Sequence, residues 1–317
     1  MCTKQKSLII GAAGFVGSYL IEQLESNCSI SVTKLPHETV SGNTENVEVY
    51  NLDIMNINNI RDLLNTLRPD HIYHLAAQSS VALSWKNPNL TVDINIKGTI
   101  NLLDAVRELD YKPRVLLIGS GEEYGRIRPD ENPVNEDNKL RPGNIYAVTK
   151  ATQNMIGELY AAAYGMDIVM VRAFNHIGPK QAPIFVVADF CRQVAEIEFG
   201  KQEPVIGVGN LSAKRDFTDV RDVVRAYEML MENAKSGQIY NVSSGSAVEI
   251  RDILDMILSM SDKKIEVFID ESKLRPVDVP VIEADIRKIT EDIGWKKEIT
   301  LNQTIKETLE YWRNKKE

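Results

Sequence analysis

The sequence contains few cysteines and histidines. Its three cysteines, Cys2, Cys28 and Cys191, lie far apart, which favours a reducing compartment and argues against a disulfide framework or a zinc knuckle. Of the four histidines, His71 and His74 are close, but their segment has the pattern of a strand, where residues three apart face opposite sides. We therefore predict no metal site.

Basic clusters and long apolar segments are also missing. The 317 residues carry a formal net charge of -8, and affinity for nucleic-acid phosphates comes mainly from clustered lysine and arginine. The apolar stretch at residues 7–10 is too short for a signal peptide or a membrane span. With 43% hydrophobic and 26% charged residues, the composition is typical of a globular protein with a large core. We expect a cytoplasmic protein that binds neither nucleic acid nor membrane.

Apolar runs alternate with helical patterns through the first half of the chain. Buried strands are predicted at residues 8–10, 30–32, 47–54, 71–77 and 114–118. Helical spacing begins near Phe15 and recurs at residues 57–67. This alternation predicts an α/β fold built on a doubly wound parallel Rossmann sheet.

A glycine-rich turn directly follows the first predicted strand and opens a helix. Glycines here permit a tight turn, close approach of the backbone to a pyrophosphate and close packing of helix on strand, while the helix N-terminus favours an anion. The turn therefore predicts a dinucleotide site. Its candidate residues are Gly11, Gly14, Phe15, Val16 and Gly17.

The residues after the next two strands bear on which dinucleotide binds. An NAD site usually has an acid after the second strand to hold the ribose hydroxyls, whereas this chain has Thr33 and Lys34. Lys34 is able to pair with a 2′-phosphate, which favours NADPH, but a solvated lysine is the alternative and NADH stays possible. Asp53 follows the third strand, where it either accepts a hydrogen bond from the adenine amino group or caps the next helix.

Two further segments carry acid–base groups. Tyr146 and Lys150 are four residues apart and share one face of a helix, where the ammonium is expected to lower the pKa of the phenol. Ser120, Glu122 and Glu123 follow the strand that begins near residue 114, and ligands of open parallel sheets bind beyond the C-terminal ends of the strands. We predict that the two segments form one reaction site.

These motifs, taken in order, resemble those of the extended short-chain dehydrogenases over essentially the whole chain. The motifs are Gly11-x-x-Gly14-x-x-Gly17, Asp53-Ile54, His74-Leu75-Ala76-Ala77, Asn95-x-x-Gly98, Ser120 four residues before Tyr124-Gly125, Tyr146-x-x-x-Lys150, Arg172-x-Phe174-Asn175-His176, Arg215-Asp216-Phe217 and Tyr240-Asn241-Val242.

The resemblance implies roles for individual residues. Ser120 would orient a substrate carbonyl, Tyr146 would protonate the alkoxide formed from it, and Lys150 would hold the nicotinamide ribose. Further cofactor contacts are implied at Asp53, Ile54, Leu75, Ala76 and Ala77. Substrate contacts are implied at Ser79, Ser80, Ser120, Glu122, Asn175, Arg215, Arg275 and Asp278. The two arginines suit a diphosphate because guanidinium offers paired donors.

Within the family the chain is most similar to members that reduce the C4 ketone of GDP-4-keto-6-deoxy-D-mannose to GDP-D-rhamnose, so a GDP-sugar substrate is implied. The main alternative is a GDP-mannose 4,6-dehydratase, because Glu122 occupies the position of the dehydratase base. Dehydratases, however, typically read Gly-Gln-Asp-Gly where this chain has Gly14-Phe15-Val16-Gly17, and they carry paired arginines after the second strand. Product stereochemistry at C4 stays open.

Two other classes of protein are less favoured. A nucleotide-sugar epimerase would convert substrate without net cofactor consumption, and a non-catalytic cofactor sensor tends to lose the catalytic tyrosine or lysine. The resemblance also implies a homodimer that pairs helices near residues 91–106 and 146–164, although ordinary packing on the sheet explains their apolar patterns equally well.

The second half of the chain is less regular and predicts a second lobe. Loop-rich stretches lie at residues 178–183, 200–215 and 270–280. We predict an NAD(P)-binding domain and a smaller C-terminal substrate-binding lobe that interleave in sequence. The first is assigned residues 1–175 with 219–245 returning to it, and the second mainly residues 176–218 and 246–317.

Overall fold

The computed structural model describes residues 4–274 and 279–315. The strands within them are β1 (Gln5–Ile10), β2 (Cys28–Lys34), β3 (Val47–Asn51), β4 (His71–His74), β5 (Arg114–Ser120), β6 (Ile168–Ala173), β7 (Asn175–Ile177), β8 (Val205–Val208), β9 (Lys214–Asp219), β10 (Ile239–Val242), β11 (Ala247–Glu249), β12 (Glu266–Ile269) and β13 (Val281–Ile282).

The helices in the same residues are α1 (Phe15–Leu24), α2 (Ile57–Leu67), α3 (Val81–Lys86), α4 (Pro88–Val92), α5 (Gly98–Arg107), α6 (Ile145–Tyr164), α7 (Val186–Glu198), α8 (Val220–Asn233), α9 (Ile250–Ser259), α10 (Arg287–Ile293) and α11 (Leu301–Asn314). None of them is both long and apolar enough to cross a membrane.

Seven parallel strands form the main sheet, in the order β10-β6-β5-β4-β1-β2-β3. This is the doubly wound order with one strand added at the edge. The central strands are apolar on both faces because helices cover both sides of the sheet. The sequence-based prediction of a doubly wound parallel sheet is confirmed.

Two apolar layers enclose the sheet. On one face, Leu20 of α1 packs with Tyr227 of α8 and the fully buried Trp295. On the other face, Leu64 of α2 packs with Leu102 of α5. Crossover helices therefore cover both faces of the sheet, with α1 and α8 on one face and α2, α5 and α6 on the other.

A second assembly follows β6. Strand β9 pairs with β7, β11 and β13, and β8 pairs in parallel with β12. Helices α7, α9 and α11 supply its own apolar core. The loop-rich stretch predicted at residues 200–215 also contains β8 and the start of β9. The proposed division into a cofactor-binding domain and a substrate-binding lobe stays a prediction.

Candidate functional site

The C-terminal ends of four strands lie along one edge of the main sheet. In the strand register Ile10 pairs with His74, His74 with Leu117, and Ser120 with Ala173. The loops that follow β1, β4, β5 and β6 therefore open at the same edge. The predicted cofactor and reaction residues follow these strands.

The glycine turn between β1 and α1 is shaped by close backbone approach. Gly11 has φ +86°, and a Cβ there would lie 2.6 Å from the Ala76 backbone. A Cβ at Gly17 would lie 2.1 Å from the Ala12 carbonyl oxygen. At the exposed Gly14, by contrast, a Cβ would come no closer than 3.9 Å, to the Gly11 carbonyl oxygen. Gly11 and Gly17 thus keep the turn compact, and Gly14 leaves its outer side open at the N-terminus of α1.

These features fit a dinucleotide. The helix of ten residues begins after Gly14 with Phe15 and Val16, so its N-terminal N–H groups face the open side of the turn, where a pyrophosphate is favoured. The backbone N–H of Gly11 donates to the Thr33 hydroxyl at 3.1 Å, which ties the turn to β2. Phe15 also stacks on His176, with ring centroids 6.0 Å apart.

Lys34 and Asp53 lie near the end of the sheet where adenosine is predicted to bind. The Lys34 Nζ donates to the Leu35 carbonyl at 3.2 Å and to Asn51 Oδ1 at 3.1 Å. Asp53 is exposed, and its carboxylate accepts a local hydrogen bond from the Met55 N–H at 2.9 Å. The alternative that Asp53 caps the next helix is wrong, because Asn56 is the N-cap of α2.

The segment after β4 lies against the glycine turn. The N–H groups of Leu75 and Ala76 donate to the Ile10 carbonyl at 2.9 and 2.8 Å. Ala77 is half-buried and Ser79 is exposed, whereas the Ser80 hydroxyl is engaged as the N-cap of α3. Ile54 is buried and packs near Gly98, where a Cβ would lie 2.5 Å from its Cδ1. These predicted contacts stay predictions.

Ser120 and Tyr146 are brought together where β5 ends and α6 begins. The Ser120 hydroxyl lies beside the Tyr146 phenol, whose pKa it lowers, and it accepts from the Glu122 N–H at 3.2 Å. Helix α6 begins at Ile145 because Asn144 caps it, accepting from the Ala147 N–H at 2.8 Å. Tyr146 is therefore held in the first turn of a long helix.

Lys150 lies one turn further along α6 and is buried. Its Nζ donates to the Ile118 carbonyl at 2.7 Å and to Gln153 Oε1 at 3.0 Å. Burial lowers the pKa of Lys150 to about 8, and the charge of Glu123 opposes that change. The ammonium therefore lies beneath the end of β5, within the predicted reaction site.

The pKa of Tyr146 changes in the opposite direction from the sequence-based expectation. Burial raises the pKa of its phenol well above the usual range, and the hydrogen bond from Ser120 opposes the rise only in part. The expectation assumed that Lys150 would dominate, whereas loss of solvent is the larger effect. Tyr146 is thus a neutral phenol that carries a proton to donate.

Glu122 lies beside this pair. Its Oε2 accepts from Asn144 Nδ2 at 3.2 Å, and its charge adds to the rise in the pKa of Tyr146. The structure therefore brings Ser120, Glu122, Tyr146 and Lys150 together.

The predicted substrate contacts on the second assembly are less tightly grouped. Asn175 is exposed at the start of β7, and its Nδ2 lies 3.5 Å from the Asp216 carbonyl oxygen. Arg215, on the neighbouring β9, donates to the Val279 carbonyl at 2.6 Å. Arg275 and Asp278 lie outside the described residues.

Sequence reasoning missed two residues that organise the site. Asn144 both caps α6 and holds Glu122, and an asparagine just before a helix was a readable N-cap signal. Gln153 accepts from Lys150 and donates to the Ile118 carbonyl at 3.1 Å, but nothing in its local pattern points to that role. Among residues 4–274 and 279–315, no group of three metal-ligating side chains comes together.

The comparisons with known proteins agree with these motifs. A family model described as GDP-mannose 4,6 dehydratase matches residues 8–308. The chain is 30% identical over 312 residues to a GDP-6-deoxy-D-mannose reductase of Pseudomonas aeruginosa, with 98% of each chain covered.

Two solved structures are similar to this chain over nearly its whole length. The structure of RMD from Pseudomonas aeruginosa complexed with NADPH is similar at a TM-score of 0.86 and 30% identity, covering 98% of this chain and 99% of that chain. A UDP-glucose 4-epimerase of Thermus thermophilus in complex with NAD has a TM-score of 0.86 and 26% identity, with 98% and 99% covered. The protein belongs to the GDP-mannose 4,6-dehydratase family of extended short-chain dehydrogenases, as its spaced motifs predicted.

Proposed function

We propose that this protein is an enzyme that uses NAD(P)H to reduce the C4 ketone of GDP-4-keto-6-deoxy-D-mannose, forming GDP-D-rhamnose. The observation that carries the proposal is the position of a protonated Tyr146, in the first turn of α6, beside Ser120 at the end of β5. Similarity along nearly the whole chain to a GDP-6-deoxy-D-mannose reductase supports the choice of substrate.

The chain's own residues account for the proton and for substrate orientation. A bound nicotinamide supplies the hydride. The Ser120 hydroxyl donates to the C4 oxygen and orients the carbonyl, and Tyr146 gives its proton to the same oxygen as charge develops there. We assign the nicotinamide ribose to Lys150, whose Nζ donates to the Ile118 carbonyl and to Gln153 Oε1.

Binding of the nucleotide part is assigned to the second assembly. Arg215 is half-buried on β9 and offers the guanidinium geometry that suits a diphosphate. Asn175 follows β6, at the same sheet edge as Ser120, and its side chain is exposed. We assign both to the GDP-sugar, together with Ser79 and Ser80 after β4 and with Arg275 and Asp278.

Glu122 supports a second candidate function, GDP-mannose 4,6-dehydratase. A carboxylate beside the tyrosine is placed to remove a proton from a sugar carbon, and Asn144 holds that carboxylate in position. The turn Gly14-Phe15-Val16-Gly17 favours the reductase, for which Glu122 becomes a substrate-binding residue.

One experiment separates the two functions. The protein is incubated with GDP-mannose alone, and then with GDP-mannose, a separate dehydratase and NADPH, and the sugars are identified by NMR. The reductase proposal expects conversion only in the coupled reaction, with GDP-D-rhamnose as product. Conversion of GDP-mannose by this chain alone would instead favour the dehydratase function, and Glu122→Gln should then abolish it.

We expect NADPH to be preferred over NADH because of Lys34. Replacing Lys34 by alanine should weaken NADPH binding about tenfold, the value of one charge-assisted hydrogen bond, and should leave NADH binding unchanged. Calorimetry with each cofactor checks this, and NADH serves as the internal control. An equal loss for both cofactors would show that Lys34 does not contact the 2′-phosphate.

We also propose a homodimer that forms through α6. Met155 and Leu159 lie four residues apart on one face of this helix and are 50% and 66% exposed. The exposed Val148 lies on the same face, two helical turns before Met155. Such a stripe of large apolar side chains fits a second copy of the same helix. The cytoplasmic location stays a prediction.

Leu159→Glu should convert this dimer to a monomer. The dissociation constant of the dimer should rise by at least about 100-fold, because burying a carboxylate without a partner is costly. Sedimentation velocity at micromolar concentration measures it. The matched control is Phe199→Glu, which changes an equally exposed apolar residue at the end of α7. If the wild-type protein is a monomer at that concentration, the proposed homodimer is wrong.

A further inference from the structure

A buried ion pair lies directly behind Ser120. Glu123 is completely buried in the short turn after β5, and its Oε2 accepts from Arg172 Nε of β6 at 3.1 Å. Taking two charges out of water is costly, and apolar side chains of similar volume often stabilise a core as well. The reduction described above gives neither residue a role, so the pair calls for another explanation.

The carboxylate of Glu123 is fitted to the end of the strand. Its Oε1 accepts from the Ser120 N–H at 2.8 Å and from Asn154 Nδ2 at 2.9 Å. Together with the bond from the Glu122 N–H to the Ser120 hydroxyl, this forms a capping box. Gly119 is required beside it, since a Cβ there would lie 2.2 Å from Glu123 Oε1. The backbone and hydroxyl of Ser120 are therefore both set by this turn.

Arg172 anchors the carboxylate to the rest of the sheet. Its Nη1 donates to the Tyr124 hydroxyl at 3.1 Å and to the Glu136 carbonyl at 2.8 Å. Tyr124 in turn donates to Asn241 Oδ1 of β10 at 2.7 Å. Glu123 is held by β6, β10 and the segment that leads to α6, so it has little freedom to move.

The charge of Glu123 also acts on the reacting groups. It raises the pKa of Lys150 and that of Tyr146, so both groups keep their protons to higher pH. The other titratable groups that face Lys150 and Tyr146 from the surrounding elements are Glu122 on the same turn, His74 on β4 and Tyr227 on α8. Arg172 on β6 faces Glu123 itself, where its charge opposes the rise in the pKa of Glu123 that burial causes. Burial lowers the pKa of His74 to about 3, so it is neutral.

We propose that Glu123 is a positioning residue for the reaction: its buried carboxylate fixes Ser120 at the end of β5 and, paired with Arg172, places a negative charge behind Lys150 and Tyr146. The kinetic part of this inference rests on the proposed reduction. The placement of the charge is independent of the reaction and is testable without substrate.

The test compares Glu123→Gln with a matched control. Glu123→Gln removes the negative charge. Its amide NH₂ group must also face either the Ser120 N–H or Arg172 Nε, and because both of these are donors, one hydrogen bond is lost. The control is Glu228→Gln on α8, a buried carboxylate that accepts from Gln23 and Asn27 away from the site.

The first measurement is a ¹³C NMR titration of the Lys150 side chain, assigned with Lys150→Arg. The wild-type midpoint should be at about 8, and Glu123→Gln should lower it by about one pH unit. Glu228→Gln should leave it unchanged. An unchanged midpoint in Glu123→Gln would overturn the proposed charge role.

The second measurement is the pH profile of reduction. Glu123→Gln should lower kcat about tenfold, as expected for one weakened contact to a reacting group, with KM for the GDP-sugar little changed. Its alkaline limb should move to lower pH, because both Lys150 and Tyr146 then lose their protons earlier. Glu228→Gln should leave the position of the alkaline limb unchanged. A Glu123→Gln profile that falls in amplitude without a shift of that limb would indicate a purely structural role.

Glu123→Asp covers the case in which Glu123→Gln does not fold. Aspartate keeps the charge but is too short to reach Ser120 and Arg172 together. The titration midpoint of Lys150 should therefore match that of the wild-type protein, whereas kcat should still fall. An unchanged kcat would contradict the positioning role. If wild-type protein does not turn over the GDP-4-keto sugar while the NMR midpoints behave as expected, the proposed function fails and the charge placement stands.

Discussion

Replacing Tyr146 by phenylalanine should lower kcat for reduction of the GDP-4-keto sugar by about 10³-fold, within the range for removing a general acid. The Kd for NADPH should change little. The phenol lies beside Ser120, and its raised pKa keeps it protonated at neutral pH. Single-turnover oxidation of NADPH followed at its absorbance maximum measures the effect without a contribution from product release.

Tyr160→Phe is the matched control. Tyr160 lies on the same helix and its hydroxyl donates to Asp104 at 3.0 Å, away from β5. Its replacement should leave kcat near the wild-type value. If Tyr146→Phe retains a rate similar to that of Tyr160→Phe, the proton comes from another group and the proposed role of Tyr146 is wrong.

Two substitutions in the glycine turn should both weaken NADPH binding but should differ in their effect on stability. Gly17→Ala puts a Cβ 2.1 Å from the Ala12 carbonyl oxygen. Because the obstacle is backbone, we expect a loss of about 2 kcal/mol or more in the free energy of unfolding and loss of NADPH binding. Thermal unfolding of the cofactor-free protein and calorimetric binding measure the two effects.

Gly14→Ala adds the same methyl group where there is space for it. The cofactor-free protein should lose at most about 1 kcal/mol, since only the preference at the helix N-cap changes. NADPH binding should nevertheless weaken at least about tenfold, because the methyl group stands where a pyrophosphate approaches the helix. Unchanged NADPH affinity in Gly14→Ala would place the dinucleotide elsewhere.

The main sheet could be predicted from the sequence because each element carries a strong local signal. Strands β1 and β5 contain the predicted residues 8–10 and 114–118, and α1 and α2 begin at Phe15 and Ile57 as expected. Apolar runs and helical spacing report burial directly, and parallel strands buried on both faces are apolar throughout.

The second assembly was harder to predict because its pairing is long-range. Strand β8 is a short segment beside charged and glycine residues, and it becomes a strand only by pairing with β12 some sixty residues later. Strand β9 likewise depends on β7, β11 and β13. Local patterns do not contain these partners.

The candidate site was predicted as a set of residues but not as an electrostatic arrangement. The spacing of Tyr146 and Lys150 placed them on one helix face, yet the direction of the pKa change of Tyr146 depends on burial that spacing does not report. The pairing of Glu123 with Arg172 joins residues 49 positions apart. Such contacts become visible only when the strands are in register.

The most direct test of the proposed function follows the hydride. The protein is given GDP-4-keto-6-deoxy-D-mannose and NADPH deuterated at nicotinamide C4 on each face in turn, and the GDP-sugar product is analysed by NMR. We predict that one of the two labelled cofactors transfers deuterium to C4 of the product, one label per NADPH consumed, and that Tyr146→Phe suppresses the transfer. Product formed without consumption of NADPH, or with no deuterium at C4 from either cofactor, would contradict the proposed reduction.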